Sequence, residues 1–196
     1  MKAIVFDFDG VLADTYKFSK GITKDVGHEI THEEFKAHHD GNVYEKPVIS
    51  FTEKSANEFF KKYLKKIEKV KPFFSIKEIE KLSKRSPLYI ISSNDEEPIQ
   101  KFLDHNKMNY FKEILGLKKH KSKVKKFEYL FQTYKLKSED CIFITDTLGD
   151  ILEGNKVNVR TIAVDFGFHE KERLEKGNPF KIISSFEELE KELDKL

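Results

Sequence analysis

Tryptophan is absent from this chain of 196 residues, cysteine occurs once, and there are only 5 prolines and 9 glycines. The single thiol, Cys141, excludes an intramolecular disulfide framework, and its place inside an apolar run points to burial. Low proline and glycine content excludes collagen-like or low-complexity architecture. No apolar run approaches the ~18 residues of a membrane-spanning helix, and no basic and apolar leader precedes the first strand. A cytoplasmic protein without a membrane partner is therefore expected. An excess of one charge is also missing: 36 Lys and Arg against 34 Asp and Glu leave +2. The lysines are scattered over surface-like positions, which gives no basic tail or stripe for nucleic acid. Against these absences stand 38% hydrophobic and 36% charged residues, the balance of a globular protein, in a chain long enough for one large domain or a domain with a modest insertion.

The apolar residues are distributed in an α/β rhythm. Lys2 to Phe6 is a short apolar run rich in β-branched and aromatic members, the pattern of a strand buried on both faces. Similar runs follow at Pro87–Ser92, Phe111–Leu117, Asp140–Thr145, Arg160–Val164 and Lys181–Ile183. Helical periods lie between them. Ser75-Ile-Lys-Glu78 is a capping box opening a helix that carries Ile76, Ile79 and Leu82 inward to Arg85. A helix with Pro98 in its first turn carries Ile99, Phe102 and Leu103, and Val124–Tyr134 carries Phe127, Leu130 and Phe131. A helix start at Asp146–Asn155 and a C-terminal helix after Ser185, with Leu189, Leu193 and Leu196, complete the alternation. The fold class is α/β, a Rossmann-like doubly wound parallel sheet covered on both faces.

Residues 15 to 71 break that rhythm. Tyr16–Ala37 has sparse, helically spaced apolar residues with a capping box at Thr31-His-Glu-Glu34, and Asp40-Gly-Asn42 is a loop. Thr52–Val70 is an amphipathic helix, with Phe59, Phe60, Tyr63, Leu64 and Ile67 on one side and a lysine-rich face on the other that reads as solvated. The expected division is an α/β core formed by residues 1–14 and 72–196 and a small all-helical cap, 15–71, inserted after the first strand.

Ligands of such sheets gather at the carboxyl ends of the strands, where polar residues carry the chemistry. The first strand runs into Asp7 and Asp9, two carboxylates able to converge beyond its end, with Asp9-Gly10 marking the turn. Such a pair repels unless a positive group sits between, and its oxygens suit a hard divalent cation; an ordinary Asp-Gly turn is the simpler alternative. The second strand ends in Ser92-Ser93-Asn94, which either caps a helix or seats an anion. The stretch Gly116–Lys126, GLKKHKSKVKK, offers several lysines ahead of a helix. Asp146 and Asp150, four apart after the Asp140–Thr145 strand, either favour a helix N-terminus or share a site with Asp7 and Asp9. His28, His32, His38 and His39 complete no zinc pattern and read as structural or solvated.

DFDGVLADT closely resembles the first motif of the haloacid dehalogenase-like superfamily of hydrolases, D-x-D-G-x-x-x-D-[ST]. The resemblance implies that Asp7 is a nucleophile, Asp9 a general acid/base, and Gly10 part of the phosphate-binding loop. The acid at position 9 separates the phosphate-handling members from the dehalogenases. YIISSN resembles the second motif and places the phosphate-binding hydroxyl on Ser92, with Ser93 one residue away and Asn94 beside them. The family's phosphate-neutralising lysine falls in the GLKKHKSKVKK stretch. Spacing to the helical face that starts at Phe127 favours Lys123, with Lys121 second, and the Lys-Pro seen in many relatives is absent. TDTLGDI resembles G-D-x-x-x-D. It implies that Asp146 is a direct metal ligand and Asp150 a more distant or water-mediated one. Thr145 replaces the usual Gly, a change expected to alter strand-end geometry rather than chemistry.

The resemblance, close to phosphoglycolate phosphatase-like members in the placing of the helical insertion, implies a Mg²⁺-dependent phosphatase. Its substrate would be a small phosphorylated metabolite, processed through an aspartyl-phosphate by a monomer or small homo-oligomer. Mg²⁺ would be held by Asp7, the Asp9 carbonyl and Asp146. A phosphosugar mutase on the same core is the alternative enzyme. A phosphonate-cleaving relative needs a cap lysine that nothing singles out. A non-enzymatic phospho-accepting switch is disfavoured, because a receiver domain is shorter, carries its acceptor on a middle strand and lacks a cap.

Overall fold

A computed structural model describes residues 1–45 and 47–196. Its sheet has six parallel strands in the order β3-β2-β1-β4-β5-β6. They are β1 (Ala3–Phe6), β2 (Leu88–Ile91), β3 (Phe111–Leu115), β4 (Cys141–Thr145), β5 (Arg160–Val164) and β6 (Lys181–Ile183). β1 lies at the centre, with Phe6 opposite Ile90 of β2 and Ile144 of β4. The chain first moves to β2 and β3 on one side and then crosses to β4, β5 and β6 on the other. The strand order therefore reverses between β1 and β4, where α/β sheets hold their ligands.

The four central strands, β1, β2, β4 and β5, read as nearly continuous apolar runs because both faces are covered. Ile4 and Phe6 face one hydrophobic cluster, together with Ile90, Ile142 and Ile144, while Ala3 and Val5 face the other, with Tyr89, Ile91 and Phe143. The first cluster receives α4 (Ile76–Arg85), α5 (Glu96–His105) and α9 (Phe186–Leu193), and the second α6 (Lys123–Tyr134) through Phe127 and Leu130. α7 (Leu148–Lys156) and the short α8 (Lys171–Glu175) bury Ile151 and Leu174 against Ala163 of β5. Cys141 is buried and free. Among the described residues no helix is long and apolar enough to cross a membrane.

Between β1 and β2 the chain forms α1 (Tyr16–Asp25), α2 (His32–Ala37) and α3 (Glu53–Lys66), the last tightening into a 3-10 turn at Ile67–Lys69. The expected capping boxes at Thr31 and Ser75 are present, and a further one at Thr52 opens α3. The inner face of this block, Ile22, Tyr63, Ile67 and Val70, joins the same cluster as the sheet. Its helices thus rest directly on the carboxyl end of the strands.

Three local expectations need correction, and one element was not foreseen. Ile76 is 36% exposed, because as the first residue of α4 it precedes the turn that faces the sheet. The helix expected from Asp146 begins at Leu148, since Thr147 stays extended and accepts the Asp150 N–H. Asp140 closes a 3-10 turn rather than opening β4. No strong period announced α8, a five-residue helix held by Arg173 and Leu174.

Phe102 is fully buried and meets Phe8, next to Asp7, edge to face at 5.2 Å between ring centroids. Phe102→Ala should cost about 3–5 kcal/mol. Urea denaturation would read this as a lower midpoint with an unchanged slope.

Candidate active site

β1 delivers Asp7 into the crevice beside β4. The Asp7 N–H still belongs to the ladder, donating to Ile144 O at 2.8 Å, whereas the carboxylate lies beyond the strand end. Its Oδ1 accepts from the Phe8 N–H at 2.7 Å and its Oδ2 lies 2.9 Å from Lys123 Nζ. The chain then turns sharply: Gly10 has φ +73°, and a Cβ there would fall 1.8 Å from Asp146 Oδ2. Gly10 is needed so that the loop after β1 can pass the acid after β4. It brings backbone close to the site and offers no side chain to a ligand.

Lys123 is the first residue of α6 and is buried to 1% exposure. Its ammonium bridges Asp7 Oδ2 and Asp150 Oδ2, at 2.9 and 2.6 Å. Lys121 stands at the rim, its ammonium 5.8 Å from the Tyr44 ring. Of the two lysines left open by spacing, Lys123 is the one brought to Asp7. Glu153 fixes it from the backbone: Oε1 accepts the Lys123 N–H, the Ser122 hydroxyl and the Asn42 amide at 2.9–3.2 Å. An acid at a helix N-terminus satisfies unpaired N–H groups and meets the positive end of the dipole. Thr145 departs from the expectation that it would matter only to backbone geometry. Its hydroxyl donates to the same Asp150 oxygen at 2.6 Å, so it takes part in holding the lysine's partner.

At the end of β2, Asp95 rather than Ser or Asn caps α5, accepting the Glu97 N–H at 2.9 Å. Ser92 to Asn94 are thereby released from the capping role. Ser92 Oγ is buried and accepts the Asn94 N–H, leaving its own proton to give. Ser93 contributes its carbonyl to the Tyr44 hydroxyl. Asn94 turns its amide to Asp9 Oδ2 at 3.0 Å, so the residue expected beside phosphate holds the second acid instead. A further buried lysine, Lys126, donates to Ser92 O at 2.5 Å; burial and then the neighbouring Lys123 pull its pKa down to about 8.

Asp9 is gripped from both sides, by Asn94 from the sheet and by the Tyr63 hydroxyl from α3. Burial raises its pKa, with Tyr63 and Asn94 opposing. Burial also pushes Asp7 well above the usual carboxylate range, against the pull of Lys123, and does the same to Asp146, against the Phe168 N–H. Burial opposes ionisation of Asp150 as well, but Lys123 outweighs it and the pKa is lowered, while the two acids keep the Lys123 pKa high despite burial. Four carboxylates, Asp7, Asp9, Asp146 and Asp150, therefore share the crevice with one ammonium, which Asp7 and Asp150 bind.

That excess of negative charge suits a divalent cation. Asp146 Oδ2 accepts the Phe168 N–H at 2.7 Å, whereas Oδ1 is buried without a partner. An orphaned carboxylate oxygen beside Asp7 is what a ligand oxygen looks like before its metal is added. Among the described residues no three acidic, histidine or cysteine side chains meet at one point. A cation here would draw on Asp7 and Asp146 and complete its shell with a backbone carbonyl and water. Asp150, committed to Lys123 and Thr145, serves the lysine.

Reasoning from sequence missed Tyr63, Tyr44, Glu153, Lys126 and the contact of Thr145. Glu153 had a signal: it follows Asp150 by three residues, on one face of α7. Tyr63 was visible only as an apolar position of α3, and the target of its hydroxyl is a tertiary fact.

A family profile described as haloacid dehalogenase-like hydrolase matches residues 4–164. Among solved structures, a haloacid dehalogenase-like family hydrolase from Streptococcus pneumoniae superposes with a TM-score of 0.81 at 22% identity, covering 98% of each chain. One described as a predicted phosphatase from Clostridium acetobutylicum gives 0.80 at 21% identity, over 100% of this chain and 99% of that one. One described as a predicted phosphoglycolate phosphatase from Haemophilus somnus gives 0.75 at 19% identity over 97% of each. No curated protein sequence matches.

The raised pKa of Asp146 has a consequence for stability. A buried acid whose pKa is raised by folding adds stability below its unfolded pKa and loses it as pH rises through the folded value. In chelator, the stability advantage of removing this acid should therefore be largest at pH 8 and shrink as pH falls toward 5. Asp146→Asn, which keeps an acceptor for Phe168, should be more stable than wild type at pH 8 by about 1 kcal/mol, a gain of ~2–4 °C for a chain of this size. An equal or lower melting temperature for the variant would contradict the assignment.

Proposed function

The chain belongs to the haloacid dehalogenase-like hydrolases, and we propose that it is a Mg²⁺-dependent phosphatase that acts on a small phosphorylated metabolite through a phosphoryl group carried on Asp7. The observation that carries this reading is the buried bridge of Lys123 between Asp7 and Asp150, with a second acid, Asp9, two residues from the first.

In this reading Lys123 orients Asp7 and offsets its repulsion of the phosphate dianion. A carboxylate oxygen of Asp7 attacks phosphorus as the bond from phosphorus to the leaving oxygen breaks. Asp9 gives its proton to that oxygen, a task favoured by the burial that raises its pKa. Water then attacks the phosphoryl group, Asp9 takes its proton, and Asp7 is released with inorganic phosphate. Ser92, whose hydroxyl proton is free, donates to a phosphate oxygen, and Lys126 holds the Ser92 carbonyl. When bound by Asp7, the Asp9 carbonyl and Asp146, Mg²⁺ supplies charge neutralisation for phosphate and nucleophile. The helices of residues 15–71 act as a cap, and Tyr63 and Tyr44 carry its contacts to Asp9 and Ser93.

Release of inorganic phosphate from a panel of small esters, with Mg²⁺ or with chelator, tests the reading. Wild type should release phosphate only with Mg²⁺. Asp7→Asn should fall to background while keeping its fold, and Asp9→Ala should lose roughly 10²–10⁴-fold, the usual share of a general acid/base. Turnover in Asp7→Asn comparable to wild type would overturn the assignment. So would a lack of release from every ester by protein that still binds Mg²⁺.

A further inference from the structure

A cavity of about 570 Å³ opens between the helices α1–α3 and the carboxyl end of the sheet, with Asp7, Asp9 and Ser92 in its lining. Its chemistry changes along its length. At the acid end the groups are charged. Away from it, one wall is a run of aromatic rings: Tyr63, whose hydroxyl reaches Asp9, is followed by Phe59 at 5.8 Å between centroids and by Phe51 at 5.6 Å beyond that. The second wall is Phe35 and Phe168, 5.7 Å apart, with the ring of His39 edge-on to Phe168 at 4.9 Å.

Away from the acids, the polar groups of the lining include the Ser19, Thr23 and Ser50 hydroxyls and two histidine rings, none of which brings a full positive charge to a ligand. His38 accepts the Ile49 N–H at Nδ1, and His39 donates from Nδ1 to Phe35 O. Burial lowers their pKa values to about 4 and about 3, so both rings are neutral near pH 7. Among the described residues the lysines in the lining are Lys121 and Lys123. Lys123 is taken by Asp7 and Asp150, and Lys121 lies over Tyr44, whose hydroxyl binds Ser93 at the phosphate end. A carboxylate placed among the phenyl rings would lose its hydration without gaining a cation. A flat apolar ring there would bury its faces and edges against others.

We propose that the phosphorylated substrate is the monoester of an uncharged alcohol bearing an aryl or heteroaryl ring, with the phosphate at Asp7 and the ring between Phe59 and Phe168. The proposal rests on the phosphatase reading for its reaction but not for its ligand class. Catalytic and binding readouts separate the two. With Mg²⁺, kcat/KM for benzyl phosphate should exceed that for phosphoglycolate and for glucose 6-phosphate by about 10-fold or more, the scale of one well-packed ring contact. Calorimetry should find the inert benzylphosphonate bound at least about 10-fold more tightly than phosphonoacetate, by the same contact. Phe59→Ala should shrink both ratios severalfold, chiefly through KM, and Phe59→Leu should restore part of them, which a merely unfolded variant would not show. Comparable values for all esters and both phosphonates, or ratios untouched by Phe59→Ala, would overturn the ligand class while leaving a phosphatase in place. No hydrolysis of any ester together with preferential binding of benzylphosphonate would remove the phosphatase and retain the ligand class.

Discussion

The structure of the site depends on one buried ammonium. Lys123 brings Asp7, at the end of β1, and Asp150, on α7, to one point out of water. A lysine taken from water needs excellent partners, and truncating one member of such a pair leaves an uncompensated charge. The surroundings are arranged to prevent that. Glu153 caps the helix on which Lys123 sits, and Thr145 donates to the carboxylate it binds. β1 and β4 are neighbours in the sheet, so the acids at their ends, Asp7 and Asp146, share one crevice. The strand order is therefore already an electrostatic arrangement.

The second constraint is that Asp9, two residues after Asp7, belongs to two parts of the fold at once. Asp9 leaves the sheet with Asn94 on one oxygen and receives Tyr63 from α3 on the other. Elsewhere the helices are tied down by ion pairs and hydrogen bonds. Arg173 of α8 meets Glu33 and Asp40, Lys36 meets Glu170 at 2.6 Å, and His169 accepts the Leu148 N–H while donating to Lys36 O. Gly149, at the start of α7, lets the loop at Gly41 approach until a Cβ would lie 2.5 Å from the Gly41 carbonyl. A movement of the helical block would alter the surroundings of Asp9 directly, which links access to the cavity with the environment of that acid.

Much of this could be read from the sequence because it is local. The four central strands were legible as apolar runs, since strands buried on both faces carry their burial in their composition, and the edge strands β3 and β6 by their place in the alternation. The capping boxes at Thr31 and Ser75 follow from spacing alone. Lys123 emerged over Lys121 because a helical face fixes which of two lysines points inward. The unseen features are contacts between distant parts of the chain. Tyr63 and Asp9 are 54 positions apart, and Lys123 and Glu153 are 30 apart. A tyrosine in an amphipathic stripe has the same local signature whether its hydroxyl meets water or a carboxylate. Thr145 was misjudged for a related reason, because its backbone position was legible and the reach of its hydroxyl across a helical turn to Asp150 was not.

Trapping the covalent species tests the account most directly. Wild-type protein mixed with a turned-over ester and quenched within milliseconds should be reduced with borohydride, digested and mapped by mass spectrometry. The account predicts conversion of the aspartate at position 7 and of no other residue, and its absence in Asp7→Asn. Modification of a different side chain, or steady turnover with no trapped species at Asp7, would contradict it.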